Sequence, residues 1–231
     1  MSTPYLDLPV GRFLELLSDT RPDPGGGTVA ALAVTLAASL CAMTASLSAR
    51  QLPGPGLADA ADPRPAGGAA PEPGPPGAAT PEPATGRGAG WLARRATQLR
   101  DEAAPLAQAD ADGYRAVLAA RRAGHEQAVQ AALSAACDVP MRVAQIGTEV
   151  AGIAAAVAAG GNPAVRGDAI TAALLAAAGA QSAALLVRIN LAGAAGDGRP
   201  GRADQLAAGA ARLAAEASRP ASPPGPAQGL A

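Results

Sequence analysis

The sequence of 231 residues contains no lysine, and all 18 of its basic residues are arginine. This excludes mechanisms that depend on a lysine, such as a Schiff base, a P-loop phosphate clamp or a lysine general base. Only four residues are aromatic, and valine and isoleucine together number 15, so the side chains that favour strands are scarce. The net charge of −1 argues against a nucleic acid or an anionic membrane surface as a partner.

Alanine is abundant, with 65 copies, and it is the strongest helix former. Stretches rich in alanine, leucine and arginine are separated by proline and glycine. This pattern predicts an all-α protein, an up-and-down bundle of about five long helices. Small side chains let such helices lie close together and are frequent in dimer interfaces.

One segment differs sharply from the rest. In residues 53–90, 29 of the 38 residues are proline, glycine or alanine, and Leu57 is the one large apolar side chain. Such a stretch buries too little surface to offset the entropy that it loses on ordering, so we predict a disordered insertion. The tail at residues 219–231 is similar. We therefore predict a single helical domain over residues 1–218, interrupted by the insertion.

The remaining sequence predicts one short amphipathic helix and several long ones. The predicted ranges are 5–19, 28–49, 91–122 with a bend at Pro105, 125–159 with an interruption at Val139–Pro140, 166–195 and 201–218.

Two stretches, residues 29–47 and 169–187, carry no charge and are long enough to span a membrane. Most of their residues are alanine, however, and neither end has an aromatic belt or a basic cluster. Buried central helices are therefore the preferred interpretation, and we expect no membrane partner.

The segment PGGGT, Pro24 to Thr28, is the most informative motif. Gly25, Gly27 and Ala30 satisfy a GxGxxA spacing, but no strand precedes them, which argues against dinucleotide binding. Glycines at a helix start expose backbone amides on which an anion or a carbonyl can dock. A tight turn between helices explains the same residues equally well.

Further polar residues stand at the ends of predicted helices. Asp168 falls in a first helical turn, where the helix dipole stabilises a carboxylate whether or not it is functional. Arg188 and Asn190 end an apolar helix, where they would either cap it or reach a ligand. Asp110 and Asp112 are two residues apart, so they face different sides of a helix and do not form a ready-made acid pair.

Cysteine and histidine give no sign of a metal site. Cys41 and Cys137 stand alone in apolar helical stretches, which favours buried free thiols in a reducing cytoplasm. His125, the one histidine, is expected to be a solvated surface residue. From the cysteine and histidine pattern we expect no metal. The first residues lack the basic and apolar regions of a secretory signal, so we expect a cytoplasmic protein.

Five blocks, in this order, resemble the formimidoyltetrahydrofolate cyclodeaminase and methenyltetrahydrofolate cyclohydrolase family over about residues 6–213, apart from the insertion. They are FLELLSDTRPDPGGGTVAALAVTLAASLCAM, QADADGYRAVLAA, AALSAACDVPMRVA, GNPAVRGDAITAALLAAA and LLVRINLAGAAGD. The resemblance implies an all-helical homodimer that binds folate, with a tetrahydrofolate derivative as substrate and no separate cofactor. The implied reaction is closure of a formimidoyl group with loss of ammonia, or hydrolysis of methenyltetrahydrofolate.

The resemblance also implies a set of site residues. Asp168 and Asp110 are the catalytic candidates, because carboxylates can exchange protons with the reacting nitrogens and suit a cationic product. The substrate-binding candidates are Gly25, Gly26, Gly27, Thr28, Asn162, Arg188 and Asn190, with Arg188 expected to pair with a glutamate carboxylate.

The alternative is a family member that keeps the helical dimer but has lost activity and serves as a folate-binding or structural protein. Gly167 stands where the family usually has serine, and Leu186-Val187 where it often has Asn-Val.

Overall fold

The computed structural model describes residues 4–20, 23–52, 88–194 and 196–220, and no strand occurs within these ranges. The α-helices are α1 (Val10–Leu17), α2 (Gly26–Ser46), α3 (Ala89–Ala103), α4 (Leu106–Ala123), α5 (Glu126–Ala135), α6 (Asp138–Gly160), α7 (Arg166–Asn190) and α8 (Arg199–Ala217). Six helices of this described part have 15 residues or more, which confirms the predicted all-α class.

Most of the predicted insertion, residues 53–87, and residues 221–231 of the predicted tail lie outside the described residues. Disorder of these segments, and the division of the chain into one domain and two disordered segments, stay predictions. The insertion was predicted to reach residue 90, but α3 begins at Ala89.

Proline positions explain where the first helices begin and end. The helix predicted over 5–19 is a 3-10 turn, Tyr5–Asp7, followed by α1. Leu8 is extended before Pro9, because proline disfavours helical backbone in the preceding residue. The bend predicted at Pro105 is a complete break between α3 and α4.

The prediction for 125–159 placed its interruption wrongly. The chain breaks at Ala136–Cys137, between α5 and α6, and Val139 and Pro140 lie inside the first turn of α6. Backbone N–H groups of a first turn have no partner within their helix, so proline costs little there. The helix predicted over 166–195 ends earlier, at Asn190.

Helix α6 lies at the centre of the bundle, in contact with α2, α3, α4, α7 and α8. Helices α2 and α7 pack side by side on it. They run antiparallel, since Gly179 in α7 approaches Val34 in the first half of α2, and Asn162 before α7 bonds to Leu47 after α2. The start of α2 and the end of α7 therefore lie at the same end of the bundle.

Alanine makes up most of the core, and two glycines let α2, α6 and α7 come closest. A Cβ atom on Gly179 would lie 2.6 Å from Val34 Cγ2 and 3.0 Å from the Ala30 carbonyl oxygen. A Cβ atom on Gly147 in α6 would lie 2.9 Å from the Ala176 carbonyl oxygen. These helices touch with backbone against side chain, which larger residues would prevent.

Both cysteines are free and buried, as the sequence predicted. Burial raises the pKa of the Cys41 thiol to about 12, so this group is not a nucleophile at neutral pH.

Within the part of the chain that the structure describes, three helical stretches are long and apolar enough to cross a membrane by length and composition alone: Gly26–Ser46, Glu126–Gly160 and Pro163–Asn190. Half or more of the most apolar window of each is buried inside the bundle. That the protein has no membrane partner stays a prediction.

The close approach at Gly179 can be tested with Gly179→Ala. Overpacking a core costs about 1–3 kcal/mol, and alanine recovers about 1 kcal/mol of helix propensity. We therefore expect the free energy of unfolding, measured by urea denaturation, to fall by up to about 2 kcal/mol. Gly209→Ala is the matched control, because its Cβ would meet Thr148 at an ordinary 3.6 Å. Equal stabilities of the two variants would contradict the packing described here.

Candidate functional site

A pocket of about 430 Å³ opens at the end of the bundle where α2 begins and α7 ends. Its volume lies in the range of small-molecule sites. It is lined by Asp23, Gly25, Gly26, Gly27, Asp110, Ala111, Tyr114, Val117, Arg121, Leu133, Ala136, Leu186, Ile189 and Asn190.

The Asp110 carboxylate rests on the first turn of α2. A Cβ atom on Gly27 would lie 1.9 Å from Asp110 Oδ1, so only glycine leaves room for the carboxylate at this place. The backbone N–H of Thr28 donates a hydrogen bond to the carboxylate. The Thr28 hydroxyl lies 3.4 Å from Asp110 Oδ2 and 3.2 Å from the Ala107 carbonyl oxygen. Thr28 is fully buried, so it orients Asp110 instead of facing the pocket.

Burial raises the pKa of Asp110 above its ordinary value of 3.8. The hydrogen bonds from Thr28 act in the opposite direction, because they stabilise the ionised form, but desolvation is the larger effect. A carboxyl group with a raised pKa in a pocket is typical of a proton donor or acceptor in catalysis.

Asp23 supplies a second carboxylate to the pocket. It forms an ion pair with Arg115 of α4, which also pairs with Asp112 one turn away. Asp110 faces the pocket while Asp112 is exposed beside Arg115, as their spacing predicted. The pocket thus holds one carboxylate neutralised by an arginine and one, Asp110, bonded to neutral donors.

The sequence-predicted residues divide into two groups. Gly25, Gly26, Gly27, Asp110 and Asn190 line the pocket together. Asn190 also hydrogen-bonds with the Cys137 thiol, through which the end of α7 contacts the start of α6.

Asp168 and Asn162 lie at the other end of α7. Asp168 is 22 residues from Asn190 along α7, which corresponds to about 33 Å. It is exposed and has no side-chain partner among the described residues. Asn162 has structural partners, because its side chain donates to the Leu47 carbonyl and accepts from the Ala164 N–H. Within one chain, neither residue reaches the pocket.

Arg188 does not line the pocket either. It is exposed and lies 3.5 Å from Asp204 of α8, with which it forms an ion pair. His125 is exposed at the start of α5, as expected. The described residues contain no group of three or more His, Cys, Asp or Glu side chains that is suited to hold a metal ion.

Sequence reasoning missed three polar pocket residues, Asp23, Tyr114 and Arg121. Two of these residues could have been found from their spacing in the sequence alone. Tyr114 and Arg121 follow Asp110 by four and eleven residues, so all three share one face of α4. Asp23 gave no such signal, since it precedes α2 in a segment without periodicity.

Fold and pocket together define an all-helical protein with a carboxylate site at the end of its central apolar helices. The model of the formiminotransferase-cyclodeaminase family matches residues 9–52 and 89–198, a range that includes every described part of the pocket. The chain belongs to this family.

The fold is also similar to the crystal structure of a formiminotetrahydrofolate cyclodeaminase from Thermotoga maritima. That protein is 21% identical in sequence, with a TM-score of 0.69 over 92% of this chain and 94% of the other. At this identity the likeness supports the fold alone. No curated protein matches the chain.

The raised pKa of Asp110 predicts a pH-dependent effect of Asp110→Asn on stability. A carboxyl group with a higher pKa in the folded state binds protons more tightly there, so its contribution to stability falls as the pH rises from about 3.8 through the raised pKa. Asparagine stays neutral and can accept the same bonds from Thr28. We therefore expect a higher melting temperature than wild type at pH 7, with the difference shrinking towards pH 4.

Thermal denaturation from pH 4 to pH 8 measures this difference. Asp101→Asn changes an exposed carboxylate of α3 and serves as the control, with little effect expected at any pH. A lower melting temperature for Asp110→Asn at pH 7 would show that Asp110 is not desolvated in the way described.

Proposed function

We propose that this protein is a folate one-carbon enzyme that cyclises 5-formimidoyltetrahydrofolate to 5,10-methenyltetrahydrofolate and releases ammonia. Membership of the formiminotransferase-cyclodeaminase family supports the folate substrate. The observation that carries the reaction is the Asp110 carboxyl group, held at the start of α2 with a raised pKa inside a pocket of ligand size.

The reaction requires one proton to move between two nitrogens. The second folate nitrogen attacks the carbon of the protonated formimidoyl group (–CH=NH2+), a carbon–nitrogen bond forms, and the attacking nitrogen loses its proton. The bond to the amino nitrogen then breaks as that nitrogen takes up a proton and leaves as ammonia. A single carboxyl group that accepts the first proton and returns it to the leaving nitrogen balances the sequence, and we assign this role to Asp110.

The charge of the pocket suits the product. The methenyl group carries a positive charge, which an ionised Asp110 would stabilise. Arg115 pairs with both Asp23 and Asp112, so these three side chains together leave one net negative charge at the same end. Amides of the Gly25–Gly27 turn and the side chain of Asn190 would orient the polar edge of the pterin.

The same residues fit a second reaction, hydrolysis of methenyltetrahydrofolate, in which Asp110 would activate water as a base. The alternative to an enzyme is an inactive family member that binds folate or serves a structural role. Turnover separates the active proteins from the inactive one, and the direction of the absorbance change separates the two reactions.

We also propose that the protein is a homodimer that forms through the outer face of α2 and α7. Helix α6 packs beneath both helices, so their exposed sides lie on the same face of the bundle. Large apolar residues are exposed along that face: Val29, Leu36 and Met43 on α2, and Leu174, Leu185 and Ile189 on α7. We call these six residues the apolar stripe. A row of large exposed apolar residues along one face of a bundle is typical of an interface.

A two-fold axis across the apolar stripe would also join the two groups of predicted site residues. Such an axis, perpendicular to α7, reverses its direction and lays the start of one α7 beside the end of the other. Asp168 of the partner subunit would then lie near Asn190 and the pocket. This arrangement would allow Asp168, which is exposed and has no partner among the described residues of its own chain, to serve the catalytic role that the sequence suggested.

Asp110→Asn is expected to lower turnover of 5-formimidoyltetrahydrofolate by at least about 100-fold, because it removes the proton-accepting group. The assay follows the near-ultraviolet absorbance of methenyltetrahydrofolate, and Asp101→Asn is again the control. Turnover by Asp110→Asn at the wild-type rate would exclude Asp110 as the catalytic group. A wild-type protein that binds folate without turnover would favour the inactive family member.

Leu36→Glu is expected to convert the dimer to monomers, since it places a charge at the middle of the apolar stripe. Sedimentation in detergent-free buffer measures the mass, and Val10→Glu, on α1 outside the stripe, is the control. Asp168→Asn should keep the dimer and its melting temperature but lose turnover. A monomeric wild-type protein would contradict the dimer, and a requirement for detergent would point to lipid as the occupant of the stripe.

A further inference from the structure

One face of α4 forms a continuous wall of the pocket. Asp110, Tyr114, Val117 and Arg121 all line it, at intervals of four, three and four residues. Eleven residues make three full turns, so Asp110 and Arg121 point to the same side about 16.5 Å apart along the helix axis. The wall thus runs from a carboxyl group at its inner end to a guanidinium at its outer end.

Arg121 differs from Arg115 and Arg188, which have ion-pair partners at this end of the molecule. Arg115 is occupied by Asp23 and Asp112, and Arg188 is paired with Asp204. Arg121 has no side-chain partner among the described residues and is exposed at the mouth of the pocket. It stands in the last turn of α4, where the helix dipole stabilises a positive charge without neutralising it.

An unpaired guanidinium at a pocket mouth has the geometry to bind a carboxylate, because its fork of N–H donors matches two carboxylate oxygens. The ligand proposed above carries such groups at one end. A benzoyl ring and an amide separate its glutamate from the reacting nitrogens. With bonds of about 1.4 Å each, the distance between the glutamate and these nitrogens is roughly 10 Å. With the reach of the arginine side chain, this length spans the wall from Asp110 to Arg121.

We infer that Arg121 binds the first glutamate of the folate and thereby determines the specificity of the pocket for glutamylated substrates. This inference rests on the proposed function, since it takes the reacting end of a folate to lie at Asp110. It transfers to Arg121 the role that the sequence suggested for Arg188. Because Arg121 lies at the mouth, further glutamates of a longer tail would extend into solvent.

Calorimetric titration with two ligands tests the pairing directly. Tetrahydrofolate carries the glutamate and tetrahydropteroate lacks it, while both have the same pterin and benzoyl groups. We expect Arg121→Gln to raise the Kd for tetrahydrofolate about tenfold, the effect of losing one charge-assisted contact, and to leave the Kd for tetrahydropteroate unchanged. Arg121→Lys should recover part of the loss, since it restores the charge without the fork.

Arg122→Gln is the matched control, because Arg122 is the exposed neighbour in the same turn and does not line the pocket. An unchanged Kd for tetrahydrofolate in Arg121→Gln, or equal weakening of both ligands, would overturn the inference. A loss specific to tetrahydrofolate in Arg188→Gln instead would assign the glutamate to Arg188. If the wild-type protein binds neither ligand, the proposed function itself fails, whereas binding of both with no effect of Arg121 refutes this inference alone.

Discussion

The close approach of α2 to α6 and α7 determines where the start of α2 lies, and the structure of the pocket depends on that position. Val34 of α2 packs into the space left by the missing side chains of Gly147 and Gly179. Because α2 carries no charged residue, no ion pair helps to hold it, and its contact with α6 and α7 is set by the shape of the packed side chains. Most of its hydroxyl groups bond to carbonyls of the same helix, as Thr35 does to Ala31. Thr28 is the exception, because its hydroxyl reaches Ala107 and Asp110 of α4.

That position decides the character of Asp110. The start of α2 offers the Thr28 N–H and the positive end of a helix dipole, both of which favour an ionised carboxylate. The same close packing removes water from the carboxyl group, which favours its neutral form. Desolvation is the larger effect, so one structural contact gives both an ordered carboxyl group and a raised pKa. Gly27 is essential to this balance, because any side chain there would occupy the place of the carboxylate.

Sequence alone predicted those parts of the structure that depend on neighbours along the chain. Alanine content and proline breaks predicted the helices, and the residues of the motif at Gly25–Gly27 lie in the wall of the pocket. The predicted helix interruption at Pro140 was wrong, because proline was treated as a helix breaker at a position in the first turn, where it is tolerated. The sequence suggested Arg188 as the partner of a glutamate carboxylate, and only its packing against α8 showed that Arg188 forms an ion pair with Asp204.

The predicted site residues that lie outside the pocket differ in whether they have a partner within the chain. Asn162 and Arg188 have partners within the chain, which is sufficient reason for a polar residue at a helix end. Asp168 has none among the described residues, although it lies at the start of the longest apolar helix of that part of the chain. Since α2 and α7 are antiparallel and share an exposed apolar stripe, a two-fold contact would bring this free carboxylate to the end of the molecule that holds Asp110. Asp168 and Asn190 lie about 33 Å apart along α7 in one chain, and the symmetry of a dimer would bring them together from two chains into one site.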